Sequence, residues 1–291
     1  MRHIPHRTVT LLLACFLIPL VESDLRIRGE GRSVKDSAAV VAEVVAEYRA
    51  DDPTARVKVW QAEITHPSGN PKFKEFQAER LKEWETTEFA KYRLDDPQIT
   101  ALVAEVIRPV LSLYRRENCF KILIIDHPAP VAMSDSGVLL MFSTGMLERA
   151  TSDDELLGHT AHELGHDLFW RRTALARQAL ELHRTEGVGT AMTEQQAYDE
   201  LFKIELECDA FSAVTLVEMG RNPLETARSH EAFAREYPDY ARPDLPPAAL
   251  RVRVIEGVIP ASAARITPQT SEAFTKLKSV LASRSGLSKR H

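Results

Sequence analysis

His162-Glu163-Leu164-Gly165-His166 constrains this chain more than any other stretch, because its two histidines can act together only on a helix. Residues four apart lie on one face of an α-helix. Two imidazoles so placed can grip a single Zn²⁺ at about 2.0–2.1 Å each. Glu163 then sits beside a metal-held water, whose pKa falls from about 15.7 to about 7, and a carboxylate there can take the water's proton. The hydroxide so formed can attack a peptide carbonyl. Three fixed residues can also meet by chance, so the surrounding sequence has to carry the reading.

It does so on both sides. Ser152 and Glu155 have the spacing of a capping box, and Asp153 and Asp154 fall in the first turn, where acids suit the positive end of the helix dipole. A helix is therefore expected from about Asp153. Leu156, Leu157, Thr160, Ala161, Leu164, Leu168 and Phe169 continue at helical spacing, and a Gly-rich break comes only at Gly187 to Gly189. A third ligand is still needed. Sites that complete themselves with a nearby histidine place Gly three and His six residues after the second histidine, but Phe169 and Arg172 stand there. A glutamate from a second helix is the other common solution. Thr193 and Gln196 have capping-box spacing, and Ala197, Leu201, Ile204, Cys208, Phe211 and Ala213 make the apolar side of a helix to about Met219. Glu205 and Asp209 share a face of it. The first can complete a His₂Glu site while the second receives the outer N–H of a ligand histidine, although a solvated acidic face has the same spacing.

With these residues in place the chain resembles a family. His162-Glu163-x-x-His166 followed by Glu205-x-x-x-Asp209 is similar to the zinc metallopeptidases that include the CAAX prenyl endopeptidase and the HtpX, Oma-type and BepA-type enzymes. The resemblance extends to residues 120–133, to 138–147, and to Leu245-Pro246-Pro247 with Arg251, which match an "H-P-P-x-x-x-R" element except that Leu245 stands for the histidine. It covers roughly residues 96–258. It implies an α+β, mostly helical gluzincin fold with a small sheet whose edge strand lines the active-site cleft. It also implies one Zn²⁺ per chain held by His162, His166 and Glu205, with Glu163 as general base and Asp209 behind the ligands. Arg251 is expected to steady the oxyanion, with Tyr240, Tyr237 or His230 standing in for the absent histidine. The cleft strand is expected at Val138, Leu139, Leu140, Met141 and Phe142, where an extended polypeptide could add to free backbone groups. An uninterrupted apolar run fits a core strand equally well.

Composition sets the rest. The 291 residues, 44% hydrophobic and 27% charged with a formal net charge of −5, suit one enzyme domain plus attachments and give no nucleic-acid footprint. Arg2 and Arg7 precede an apolar run from Val9 to Val21, read as a signal peptide over 1–23 and hence an exported, periplasmic or secreted protein. The run is shorter than the roughly 17–25 residues that span a bilayer. An uncleaved anchor and lipidation at Cys15 are the alternatives. Residues 24–95 are expected to form an N-terminal extension and 259–291 a C-terminal helix and tail. Helices are expected over 34–50, 72–92, 98–116, 223–236, 247–258 and 271–282, and strands over 56–64, 120–126 and 138–143. Cys119 and Cys208 could pair, but free buried thiols fit better. His159 is expected behind the ligands or in the core, His183 and His230 at the surface, and Phe169 and Trp170 in the core. The functional expectation is an endopeptidase acting on extended segments of unfolded or misassembled proteins, with envelope proteins as partners. A holdase or assembly factor with a structural zinc is the alternative, and a small-amide hydrolase a third.

Overall fold

Short polar residues at turn positions set where the helices begin. The computed structural model describes residues 34–64, 72–186, 192–238, 240 and 242–288. The expected signal peptide therefore lies outside the described residues. Helix α1 spans Val34–Tyr48 and α2 Pro53–Glu63, the latter capped by the Asp52 side chain, which accepts from Ala55 N–H at 3.0 Å. The expected strand over 56–64 is thus a helix. Arg56-Val57-Lys58-Val59-Trp60 alternates, but Val57, Trp60 and Ile64 are buried at helical spacing while Val59 is exposed, and Asp52-Pro53 is a helix start.

Helix α3 is Phe73–Trp84, followed by a 3₁₀ turn at Glu88–Tyr92, and α4 is Pro97–Leu113, capped by Asp96. Three strands follow: β1 Lys121–Ile125, β2 Ala132–Asp135 and β3 Leu139–Ser143. Their order is β1-β3-β2, with β3 parallel to β1 and antiparallel to β2. This corrects the expected cleft strand. Val138, Leu139, Leu140, Met141 and Phe142 are buried, and Leu139–Ser143 is paired on both sides, so no backbone edge remains there for a substrate. The edge strand that meets the His-bearing helix is β2. In the β2–β3 turn Ser136 and Gly137 lie in the left-handed region at φ 53° and 68°, and Val138 N–H closes the turn on Asp135 O at 3.0 Å. Buried Arg80 clamps Asp135 at 2.8–3.0 Å, and Arg116 holds both Gly137 O and Asp167 at 2.9 Å.

Helix α5 is Thr144–Arg149 and α6 is Asp153–Leu168, with Ser152 as cap. The expected continuation to Gly187 is interrupted by a bend at buried Phe169, after which α7 runs Trp170–Glu186 with Trp170 exposed. Trp170 is therefore not core. Helix α8, Glu194–Glu218, carries the full Thr193/Gln196 capping box. Helices α9 (Leu224–Glu236), α10 (Ala248–Val258) and α11 (Glu272–Ser288) complete the chain. One apolar core joins side chains of α1, α2, α4, α6, α8, α10 and α11, with the Trp60 and Phe211 rings 4.6 Å apart at its centre. Both described cysteines, Cys119 and Cys208, are free and buried. No helix among the described residues is long and apolar enough to cross a membrane.

The α6–α9 contact has a sharp steric condition. A Cβ on Gly158 would stand 1.9 Å from Thr226 Oγ1, with the next neighbours at 3.2 Å, and that hydroxyl has no hydrogen-bond partner. Overpacking of this kind costs about 1–3 kcal/mol. Gly158→Ala is expected to lower the urea midpoint by that order. Thr226→Ala should recover more than half of the loss, because the two changes share one contact; additive midpoints would contradict the packing described.

Candidate metal centre

Helix α6 delivers its two histidines because α8 comes unusually close. A Cβ on Gly165 would meet Cys208 Sγ at 3.0 Å and Cys208 Cα at 3.1 Å, so only glycine admits this approach without displacement. One turn of α8 then lies under His162 and His166. His162 Nδ1 stands 2.9 Å from Asp209 Oδ1, and an ionised carboxylate only accepts, so Nδ1 carries the proton. Asp209 is fully buried and receives Arg251 from α10 through Nε and Nη2, each at 2.7 Å. Burial would raise the Asp209 carboxyl, but the Arg251 charge and the hydrogen bonds it accepts hold it well below the usual carboxylate range. Arg251 is itself raised, because Asp209 outweighs the effect of its own burial.

With Nδ1 occupied, His162 turns Nε2 to Glu205 Oε2 at 3.3 Å, and His166 Nε2 faces Glu205 Oε1 at 3.6 Å. Two ligand atoms each about 2.0–2.1 Å from a tetrahedral metal stand ~3.4 Å apart. Both gaps suit that separation. They also suit it electrostatically, since nitrogen lone pairs and carboxylate oxygens repel unless a proton or cation lies between them. Burial lowers His162, yet the hydrogen bonds to Asp209 and Glu205 prevail and push it up to about 9. Burial pulls His166 down to about 4. Glu205 is held far below the ordinary carboxylate range by His166, His162 and Arg251, against the effect of burial. The chain thus keeps an ionised carboxylate against two imidazoles, an arrangement that favours positive charge between them.

A second grouping shares these histidines. His162, His166 and Cys208 present ligand atoms within 4.8 Å of one another, a set that could hold a metal ion. Cys208 Sγ meets His166 at Nδ1, 3.6 Å away, on the far side of the ring from Glu205.

Glu163 points the other way, to the sheet. Its Oε2 accepts the Ser134 N–H at 2.7 Å, and the Ser134 hydroxyl donates to Glu163 O at 3.2 Å. Burial, with the nearby Glu205 charge, lifts its carboxyl to about 7. A group at that value can both take and give a proton near neutrality. Beside it opens a cleft of about 440 Å³, walled by Ala129–Met133 on one side and Ser229, His230 and Phe233 on the other.

The structure brings His162, Glu163, His166 and Glu205 together in the lining of this cleft, with Asp209 buried behind His162. Arg251 and Leu245 also reach it. The oxyanion role expected of Arg251 is not where its bonds go: Nε and Nη2 are spent on Asp209. Tyr240 lines the cleft with its ring edge-on to Phe233. His230, expected at the surface, is largely buried, with Nε2 3.4 Å from Asp209 Oδ1 and its ring edge-on to His159. Burial brings His230 down to about 4. His159 contacts Ser229 Oγ at 3.0 Å and also lines the cleft. His183 bonds Met192 O at 3.0 Å and is not a plain surface residue. Ser134 was not a sequence candidate, and only its polarity beside an apolar strand signalled it.

Comparison with family models and with curated proteins returned no match for the chain.

The geometry separates three acids on one helix turn. Glu205→Ala should abolish zinc retention under chelator competition, and Asp209→Ala should weaken it about 10–100-fold, as loss of an orienting partner does. Glu207 points away and pairs with Arg172 at 2.6 Å, so Glu207→Ala should keep wild-type zinc affinity. Loss of zinc in Glu207→Ala with retention in Glu205→Ala would contradict this register.

Proposed function

We propose that the chain is a zinc-dependent endopeptidase of the gluzincin kind, akin to the CAAX prenyl endopeptidase, HtpX, Oma-type and BepA-type enzymes. It hydrolyses internal bonds of extended, unfolded or misassembled polypeptides in the cell envelope after export. The observation that carries the reading is Glu163, a buried carboxyl near neutral pKa held against the cleft strand beside the two histidines. A site serving structure alone has no use for such a group.

The donor set fits one Zn²⁺ held by His162 Nε2, His166 Nε2 and Glu205. Cys208 is the poorer third ligand, because its sulfur lies at Nδ1 of His166, whereas the Glu205 oxygens face Nε2 of both rings at once. Zinc supplies a Lewis acid for the scissile carbonyl and lowers the pKa of a water toward about 7. Glu163 does the proton work. Ser134 N–H fixes Oε2, which aims the carboxyl and leaves Oε1 to take a proton from the attacking water and pass it to the leaving amine.

Strand β2 aligns the substrate. Val131 O receives Ser143 N–H at 2.9 Å, and Ser134 N–H turns outward to Glu163, so in an antiparallel ladder Ala132 presents its N–H and C=O to the cleft. An extended peptide adding there pairs by backbone alone, which suits unfolded substrates of varied sequence. Arg251 acts through Asp209 and not on the substrate, while Tyr240 and His230 line the cleft within reach of a developing oxyanion.

Glu163→Gln is expected to retain zinc and lose cleavage of unfolded casein by at least about 10²–10⁴-fold, the range of general acid–base catalysis. Undiminished cleavage would sink the mechanism. A Glu163→Gln chain that still suppresses aggregation and meets the full cellular need would favour the holdase reading. Arg251→Ala should weaken zinc retention as Asp209→Ala does; unchanged zinc with lowered kcat would instead return Arg251 to the oxyanion.

A further inference from the structure

The two histidines have unequal backing. His162 Nδ1 meets a carboxylate that Arg251 keeps ionised, whereas His166 Nδ1 meets Cys208 Sγ at 3.6 Å, within the reach of a hydrogen bond to sulfur. We infer that Cys208 is a positioning residue: its sulfur receives the Nδ1–H of His166 and fixes the ring so that Nε2 faces Glu205. This rests on the zinc reading above, since a ring that binds metal through Nε2 must carry its remaining proton on Nδ1.

Three observations converge on the sulfur. Gly165 removes the Cβ that would otherwise stand 3.0 Å from Sγ, so α6 is cut to fit this side chain. Cys208 is fully buried, so its sulfur is fixed by packing beside the ring. Its place on α8, three residues after Glu205 and one before Asp209, puts acceptor, ligand and second acceptor on one turn. Each ring is thereby held by two neighbouring α8 residues: His162 by Asp209 and Glu205, His166 by Cys208 and Glu205.

The consequence is an asymmetric site. A carboxylate behind a histidine raises the basicity of the ligating nitrogen and fixes the ring firmly, whereas a thiol is a weak acceptor that does less of both. His166 is then the looser ligand, and zinc leaves from its side first. Loss of the sulfur removes the contact that fixes this ring through Nδ1.

The test compares Cys208→Ala and Cys208→Ser in the full chain, by zinc affinity under chelator competition and by nitrogen-edited NMR of the His166 ring in the zinc-loaded protein. The expected result is a 10–100-fold loss of affinity in Cys208→Ala and partial recovery in Cys208→Ser. The His166 Nδ1–H resonance should be visible in the wild type, retained in Cys208→Ser, and broadened by solvent exchange in Cys208→Ala. A purely structural sulfur would shift the urea midpoint of the metal-free variants but leave affinity and resonance alone, and that outcome overturns the inference. So does a wild-type ring that carries its proton on Nε2 when loaded. A wild-type chain that takes up no zinc overturns the endopeptidase reading as well, whereas unchanged affinity in Cys208→Ala with zinc intact overturns this inference only.

Discussion

Gly165 sets the distance between the two helices that carry the site. Its missing Cβ lets the backbone of α8 approach α6 at Cys208, and the contacts of both histidines with α8 depend on that approach. Glu205 can then present one oxygen to each Nε2, at 3.3 and 3.6 Å, while Asp209 reaches the back of His162 at 2.9 Å. A helix pair held an ångström or two further apart would keep the same residues and lose the site. The motif therefore needs its glycine for packing as much as its histidines for chemistry.

Burying these groups has an electrostatic cost that the fold offsets from a distance. Asp209 has no exposure, and an ionised carboxylate without a partner there would be strongly unfavourable. Arg251, forty-two positions further along on α10, supplies the compensating charge. The C-terminal helices are thus part of the centre and not an accessory to it. On the other flank, the β2–β3 hairpin is pinned by Arg80 to Asp135 and by Arg116 to Asp167, the residue directly after His166. The same clamp that fixes the turn fixes the strand beside Glu163.

What the sequence made legible was local. Ser152, Asp96 and the Thr193/Gln196 box announce their helices within four residues, and the His162/His166 and Glu205/Asp209 spacings place side chains on faces whatever surrounds them. What it hid was non-local. The apolar run Val138–Phe142 says that both faces are covered and nothing about its edges, so the centre strand could pass for the cleft strand while Ala132–Asp135, shorter and more polar, went unremarked. Alternation over 56–60 fits a strand or a helix until the partners of Val57 and Trp60 are known. His230 has charged, exposed Arg228 and Glu231 beside it in sequence, and only its tertiary neighbours, Asp209 and His159, reveal that it faces inward. Nor does any local pattern signal that buried Asp209 engages Nε and Nη2 of Arg251, which lies forty-two positions away.

The central claim is that Glu205, and not Cys208, completes the pair of histidines. X-ray absorption at the zinc edge of the loaded wild-type chain tests it directly. The account predicts a first shell of nitrogen and oxygen only, at about 2.0–2.2 Å. A sulfur scatterer at about 2.3 Å would contradict it, placing Cys208 on the metal and leaving Glu205 without the task assigned to it here.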